Sequence, residues 1–243
     1  MLYNTPMKKL QPSVILGVVA HPDDIEFGMA GSVAKWISQG AEVYYYVLTN
    51  GNKGSADRSI SPEKLRDIRR DEQRAAAAIL GVKEVFFSDY DDGTLEVSME
   101  LKREIVRKIR SLKPQVLITF DPTMAYDAES GFVNHPDHRA AGQAALDALF
   151  PLARDHLSFP ELLQDESLEP HKVETALLMN FCEHNYFEDI SAFMDIKLEA
   201  LAAHSSQIPD WQAAKELVCS MGKKAGAMAG CDFAEAFVRI DVR

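Results

Sequence analysis

Two short runs in this 243-residue chain carry side chains suited to metal chemistry: His21-Pro22-Asp23-Asp24 and His135-Pro136-Asp137-His138. Histidine nitrogen and carboxylate oxygen are the usual donors to a catalytic zinc ion. In the first run Pro22 restricts the backbone, so His21 and Asp24 can face one point while Asp23 projects differently. In the second, His135 and His138 lie three apart and are neighbours on one helical face. A helix start carries positive potential, which disfavours imidazolium and helps keep a ligand histidine neutral. Asp137 is placed to hold a histidine's second ring nitrogen and so fix its tautomer. Each run taken alone also reads as a turn and a capped helix, because Asp and Pro are favoured at helix starts. Together they hold three of the chain's seven histidines with three aspartates. Chance convergence is then the poorer explanation.

The elements around the two runs set their placement. Ser13–Ala20 is a near-continuous apolar run, the pattern of a strand buried on both faces, and it stops at His21. Gly28-Met29-Ala30-Gly31 opens a helix to about Gln39, with Gly40 as its stop. Glu42–Leu48 is a second strand, and Ser61-Pro62 starts a helix that ends at Gly81. Val82–Phe87 is a third strand, followed by a turn at Asp89–Gly93 and a helix from Glu96 to Leu112. Gln115–Phe120 is a fourth strand, Asp121–Asn134 an irregular loop, and Pro136–Phe150 a helix. Pro151–Lys172 reads as a surface excursion and Val173–Phe181 as another strand. Ser191–His204 and Trp211–Met228 read as helices and Ala236–Val242 as a last strand. Strands alternating with helices imply right-handed βαβ units: a Rossmann-like, doubly wound, mostly parallel α/β sheet flanked by helices. Both motifs then fall at the carboxyl edge of that sheet, where open α/β sheets bind ligands. The expected organisation is one domain over 1–243, with a core at 1–150 carrying the metal site and a C-terminal α/β elaboration at 151–243.

Composition narrows the function classes. Twenty-six Lys and Arg against 37 Asp and Glu give a net charge of −11, which argues against nucleic acid and anionic membrane surfaces. The longest apolar runs, Val14–Ala20 and Val43–Leu48, are far too short to span a bilayer. The segment MLYNTPMKKL has no apolar core after its lysines, so no signal peptide is expected. Cys182, Cys219 and Cys231 are scattered and odd in number, as in a cytoplasmic protein with reduced thiols.

With both motifs in hand, the sequence resembles the PIG-L/LmbE-like family of zinc-dependent N-deacetylases. Further matching features are Gly28-Met29-Ala30-Gly31, Thr49-Asn50-Gly51, the Arg69–Glu72 to Leu80-Gly81 helix, Asp91-Asp92-Gly93, Asn134, and Lys197 with His204-Ser205-Ser206-Gln207. The resemblance implies a Rossmann-like fold and zinc ligands His21, Asp24 and His138, one ion per chain. It implies Asp23 as the general base toward the attacking water. It implies His135 as the group that polarises the carbonyl, stabilises the oxyanion or helps protonate the amine, with Asp137 orienting it. It favours Arg69 as a contact to a polar or anionic substrate substituent, against a solvated arginine paired with nearby acids. Asn50 and Asp92 lie in loops that follow strands and read equally as sugar-hydroxyl contacts or turn formers. Two positions depart from some relatives. Glu26 stands one residue beyond Asp24, with Ile25 between, and Val133 occupies a position where some relatives have tyrosine. Tyr126 is a candidate to replace that tyrosine.

The expected function is removal of an N-acetyl group from an N-acetylglucosamine-type sugar or glycoside, a hydrolysis of a linear amide C–N bond. Amide hydrolysis near neutral pH needs an activated water, a Lewis acid and a proton donor, which this set can supply. Two alternatives remain open: an amidase for a larger acyl or thiol conjugate, and a non-catalytic Rossmann-like binding protein. A two-His, one-carboxylate set also suits Fe2+. The resemblance further implies a homo-oligomer, for which the apolar C-terminal helices offer surface.

Overall fold

The computed structural model describes residues 9–129, 131–180 and 182–243. Apolar residues on both faces put β1 (Val14–Val19) inside the sheet, where Ile15, Leu16, Val18 and Val19 are fully buried. Each such side chain contributes about 1.5–3 kcal/mol on burial. β1 pairs in parallel with β2 (Glu42–Thr49) on one side and β4 (Val116–Phe120) on the other. β3 (Glu84–Tyr90) adds beyond β2. A two-stranded hairpin of β5 (Tyr126–Asp127) and β6 (Phe132–Val133) stands apart from the sheet. β7 (Thr175–Met179) pairs in parallel with β4. β8 (Tyr186–Asp189) and β9 (Ala234–Asp241) complete the order β3-β2-β1-β4-β7-β9-β8, with β9 antiparallel to both its neighbours. The result is the mostly parallel α/β sheet expected.

The chain leaves β1 toward β2 and β3, then crosses back to β4 on the other side. The crevice at such a reversal is where doubly wound sheets bind ligands. His21 follows β1, and the segment from Asp121 to His138 follows β4, so both motifs open onto this crevice.

The helices depart from expectation at their ends. The stretch expected as one helix from Gly28 is two, α1 (Asp24–Gly28) and α2 (Ala30–Ser38), broken at Met29 with φ −149°. α3 (Pro62–Leu80) is as expected: Ser61 Oγ accepts from Lys64 N at 3.2 Å, and Gly81 closes it at φ 83°. α4 (Met99–Leu112) starts later than Glu96 because Ser98 caps it, accepting from Leu101 N at 3.1 Å. α5 (Pro136–Asp147) gives way to a π-helical turn over Ala148–Leu152 that contains Pro151, short of the expected end at Phe150. Inside the expected loop at 121–134 lies the β5–β6 hairpin, and inside the excursion at 151–172 lies α6 (Pro160–Gln164). β8 was not expected; four residues on a sheet edge leave too little periodicity to read. α7 (Met194–Ala202), preceded by a 3-10 turn over Ser191–Phe193, and α8 (Trp211–Ala229) match the expected C-terminal helices closely. Phe181, the expected strand end, lies outside the described residues, as does most of the N-terminal segment read for a signal peptide. Among the described residues no helix is long and apolar enough to cross a membrane.

One glycine fixes how the second motif meets the sheet. A Cβ at Gly142 on α5 would sit 2.2 Å from the backbone oxygen of Phe120, at the end of β4. This close approach lets the His138 ring, one turn earlier, stack on Phe120 at 3.9 Å between centroids and 4° between planes. Gly142→Ala should therefore lower stability by about 1–3 kcal/mol, despite alanine's higher helix propensity. Thermal denaturation checks this; an unchanged or raised Tm would refute the close-approach account.

Candidate metal centre and active site

At the end of β1 the chain turns sharply. His21 N donates to Asp24 Oδ2 at 2.7 Å, and Asp23 takes φ 102°, in the left-handed region. For a non-glycine residue such a conformation costs about 1–3 kcal/mol and persists only where surroundings enforce it. The turn sends the carboxyl groups of Asp23 and Asp24 to different neighbours. Asp24 Oδ1 lies 3.1 Å from His138 Nε2, and Asp23 Oδ2 lies 3.3 Å from Arg69 Nη2.

Three donor atoms converge. His21 Nδ1 and His138 Nε2 are 3.2 Å apart, and Asp24 Oδ2 is 3.7 Å from His21 Nδ1. Ligands at about 2.0–2.1 Å from one tetrahedral zinc ion would stand about 3.3 Å from each other. The far sides of both rings are held. His138 Nδ1 lies 3.0 Å from Asn134 Oδ1, and Asn134 Nδ2 donates to Met124 O at 2.8 Å, so the amide oxygen faces the ring. His138 Nδ1 is then the protonated nitrogen, and Nε2 points a lone pair at the convergence point. His21 Nε2 is 3.2 Å from both Asp137 Oδ2 and Asp92 Oδ1. Burial alone would lower the His21 pKa, but these carboxylates and Asp24 push it up to about 12. Burial alone would raise Asp24, yet His138 and His21 hold it far below the usual carboxylate range. The carboxylates around His21 thus favour positive charge at this end of the sheet. The donor set fits a divalent cation.

Asp23 contrasts with its neighbour. Burial pushes its carboxyl up to about 6, against the opposing pull of Arg69. His135 caps α5: its Nδ1 accepts from Asp137 N at 3.2 Å. In the neutral ring the proton is therefore on Nε2. Burial and the proximity of His21 lower its pKa, and its side chain keeps 40% exposure, facing the open side of the site. The His135 and His21 rings meet edge to face at 4.7 Å.

Residues 16–149, a span that includes both motifs, match the family model of PIG-L, described as GlcNAc-PI de-N-acetylase. The chain belongs to the PIG-L family. Diacetylchitobiose deacetylase of Thermococcus kodakarensis is 32% identical over 223 residues, covering 91% of this chain and 80% of that protein. The solved structure of N,N'-diacetylchitobiose deacetylase from Pyrococcus horikoshii, in complex with an inhibitor, matches with a TM-score of 0.87 at 30% identity. It covers 95% of this chain and 84% of that one. A mycothiol S-conjugate amidase of Streptomyces coelicolor is 32% identical over 181 residues, but covers 65% of this chain and 59% of that protein. As a PIG-L family member this chain is a hydrolase, and the bond at issue is an amide C–N bond.

Within this PIG-L site some expected residues take other places. Arg69, expected to reach a substrate substituent, is 3% exposed; Nη1 donates to Gly51 O at 3.0 Å and Nη2 to Pro22 O at 2.7 Å. Asp92, also expected as a substrate contact, is 8% exposed and turned to His21. Asn50 is 5% exposed and spends its amide within the loops, with Nδ2 on Asp91 Oδ1 at 3.3 Å and Oδ1 accepting from Asn52 N at 3.1 Å. All three side chains are buried, and the contacts above hold them to the site's own loops and to His21. Asp137 was expected behind His135, but its carboxylate is 3.9 Å from His135 Nδ1 and closer to His21. It also accepts from Gly93 N at 2.7 Å and Leu95 N at 3.1 Å, which ties the loop after β3 to α5. Tyr126 pairs with Val133 across the β5–β6 hairpin, so both side chains leave the same face.

Sequence reasoning missed the roles of Gln73, Glu26 and His204, which are fully buried beside Asp23. The available signal was on α3, whose inward stripe is Leu65, Arg69, Gln73, Ala76, Ala77 and Leu80. Two polar residues on an otherwise apolar stripe are an anomaly that invites a buried partner.

Asn134→Ala removes the acceptor that orients His138. Divalent-cation affinity should fall about 10- to 100-fold, as for other residues that orient metal ligands. Competition with a chromogenic chelator measures it, and unchanged affinity would sink this role for Asn134.

Proposed function

We propose that this protein removes the acetyl group from an N-acetylglucosamine-type sugar or short glycoside, using one zinc ion held by His21, Asp24 and His138. The convergence of those three donors beside a half-buried Asp23 with its own partner, Arg69, carries the reading. Likeness over nearly the whole chain to a diacetylchitobiose deacetylase favours it over an amidase for larger conjugates, where the likeness covers less of both chains. The bound ion supplies Lewis acidity and a water acidic enough to attack an amide near neutral pH.

Asp23 takes the proton of the attacking water as its oxygen bonds to the acetyl carbon. Its raised pKa suits a base that must accept a proton and later return it. His135, with Nδ1 committed to the backbone, offers Nε2–H to the carbonyl oxygen as negative charge builds there. Asp23 then returns the proton to the amine nitrogen as the C–N bond breaks, leaving acetate and a free amino sugar. Asp137 and Asp92 hold His21 from behind, and exposed Tyr126 on the hairpin offers a face for a sugar ring. We further place the work in the cytoplasm, which suits three cysteines in no disulfide. Residues 1–243 act as one deacetylase domain, and the exposed Trp211, Leu217, Met221 and Met228 on α8 are our candidate subunit contact.

Asp23→Asn should leave metal content unchanged while kcat falls about 10²- to 10⁴-fold. The assay is free-amine release from N-acetylglucosamine, its disaccharide, and its malate and inositol glycosides. Parental turnover by the variant would remove Asp23 as the base. No amine release from any of these sugars, alongside release from a larger acyl conjugate, would favour the amidase instead.

A further inference from the structure

Asp23 sits at the start of α1 in a left-handed conformation, and its side chain makes no cap bond to the helix. The restraint that keeps it there comes from α3. Arg69 Nη2 donates to Pro22 O at 2.7 Å, and Asp23 N donates to Gln73 Oε1 at 3.0 Å. That carbonyl and that N–H belong to a single peptide unit. Both polar ends of the Pro22–Asp23 peptide are thus gripped by side chains one helical turn apart, and the plane cannot rotate without breaking a buried hydrogen bond.

The grip continues inward. Gln73 Nε2 donates to both oxygens of Glu26, at 3.1 and 3.2 Å, and Glu26 Oε2 lies 3.1 Å from His204 Nε2. Glu26, Gln73 and His204 have no solvent exposure. Bond directions follow from the first link. A backbone N–H can only donate, so Gln73 must present its oxygen to Asp23 and its amide to Glu26. The carboxylate accepts on both sides, which makes His204 Nε2 the donor and leaves Nδ1 buried with no partner among the described residues. An unpaired buried nitrogen and a buried carboxylate are unfavourable for folding alone, where apolar residues of similar size would serve better. These groups are explained by what they hold.

We propose that Gln73, Glu26 and His204 are positioning residues, a buried relay that fixes the Pro22–Asp23 peptide and so aims the Asp23 carboxylate at the attacking water. The proposal rests on Asp23 acting as the base. It makes a residue just beyond α7, 181 positions further along the chain than Asp23, part of what the first motif needs in order to work.

The test separates positioning from packing. Gln73→Met removes the acceptor for Asp23 N–H at nearly constant volume. Expected are a fall in kcat of about 10- to 100-fold, as for small misplacements of a reacting group, with KM within about twofold and metal content unchanged. The double exchange Glu26→Gln with Gln73→Glu keeps every donor opposite an acceptor: Asp23 N–H on the carboxylate now at 73, the amide at 26 on that carboxylate, and His204 on the amide oxygen. It should recover kcat to within about fivefold of the parent, which a purely space-filling role would not predict. Parental kcat in Gln73→Met, loss of kcat only together with loss of metal, or an exchange variant no better than Gln73→Met would each overturn the relay. If Gln73→Met does not fold, His204→Leu decides. A drop in kcat of about threefold or more at constant KM and metal content supports the relay, and parental kcat or failure to fold overturns it. Asp23→Asn runs alongside. Retained turnover there defeats the base assignment itself, whereas lost turnover there with parental Gln73→Met defeats the relay alone.

Discussion

Arg69 and Gln73 take opposite ends of one peptide bond, Pro22–Asp23, and most of the site depends on that peptide staying where it is. It fixes the left-handed turn after β1, which in turn sends Asp24 toward His138 and Asp23 toward Arg69. The grip needs room. A Cβ at Gly51 would come within 2.7 Å of the Arg69 guanidinium, and φ +63° there also favours glycine. The loop after β2 is therefore shaped by the arginine it contacts. The C-terminal region closes the arrangement from behind: Lys197 Nζ donates to Phe27 O at 2.9 Å and pairs with Glu235, which accepts from Gly31 N and Ser32 N. The break between α1 and α2 at Met29 thus sits between contacts made by α7 and β9.

Charge sets the second constraint. Asp23, Asp24, Asp92 and Asp137 crowd the carboxyl end of the sheet, and burial makes each costly to ionise. The compensations are local and distinct. Asp137 has two backbone N–H groups and His21, Asp92 has His21 and the more distant Arg69, and Asp24 has His138. Asp23 is paired with Arg69, and burial raises its pKa while His138 and His21 lower that of Asp24. Two adjacent carboxylates are thereby given opposite charge preferences by their surroundings, which is how one site can draw two roles from one residue type.

The parts of this protein legible in its sequence share a physical character. β1 was readable because a strand buried on both faces needs an unbroken apolar run. α3 was readable because Ser61, Pro62 and Gly81 satisfy backbone groups locally. The residues converging on the metal centre were readable because histidine and aspartate flanking proline at two strand ends are rarely required by packing. β8 and the β5–β6 hairpin were not, since each is too short for a period and is held by partners distant in sequence or across a loop.

What the sequence determined by itself was the kind of chemistry and the sheet that carries it, because residue type and local periodicity are properties of short segments. Tertiary structure decided the division of labour. Arg69, Asn50 and Asp92 are buried and hydrogen-bonded or paired within the site's own loops and to His21. Asp137 went chiefly to His21, and Gln73, Glu26 and His204 acquired a position behind Asp23 that no spacing announces. Those contacts join segments from 18 to 178 residues apart. They exist because the fold places the end of β1 against one face of α3 and the end of α7, and a buried polar group there must find its partner among whatever side chains those elements present.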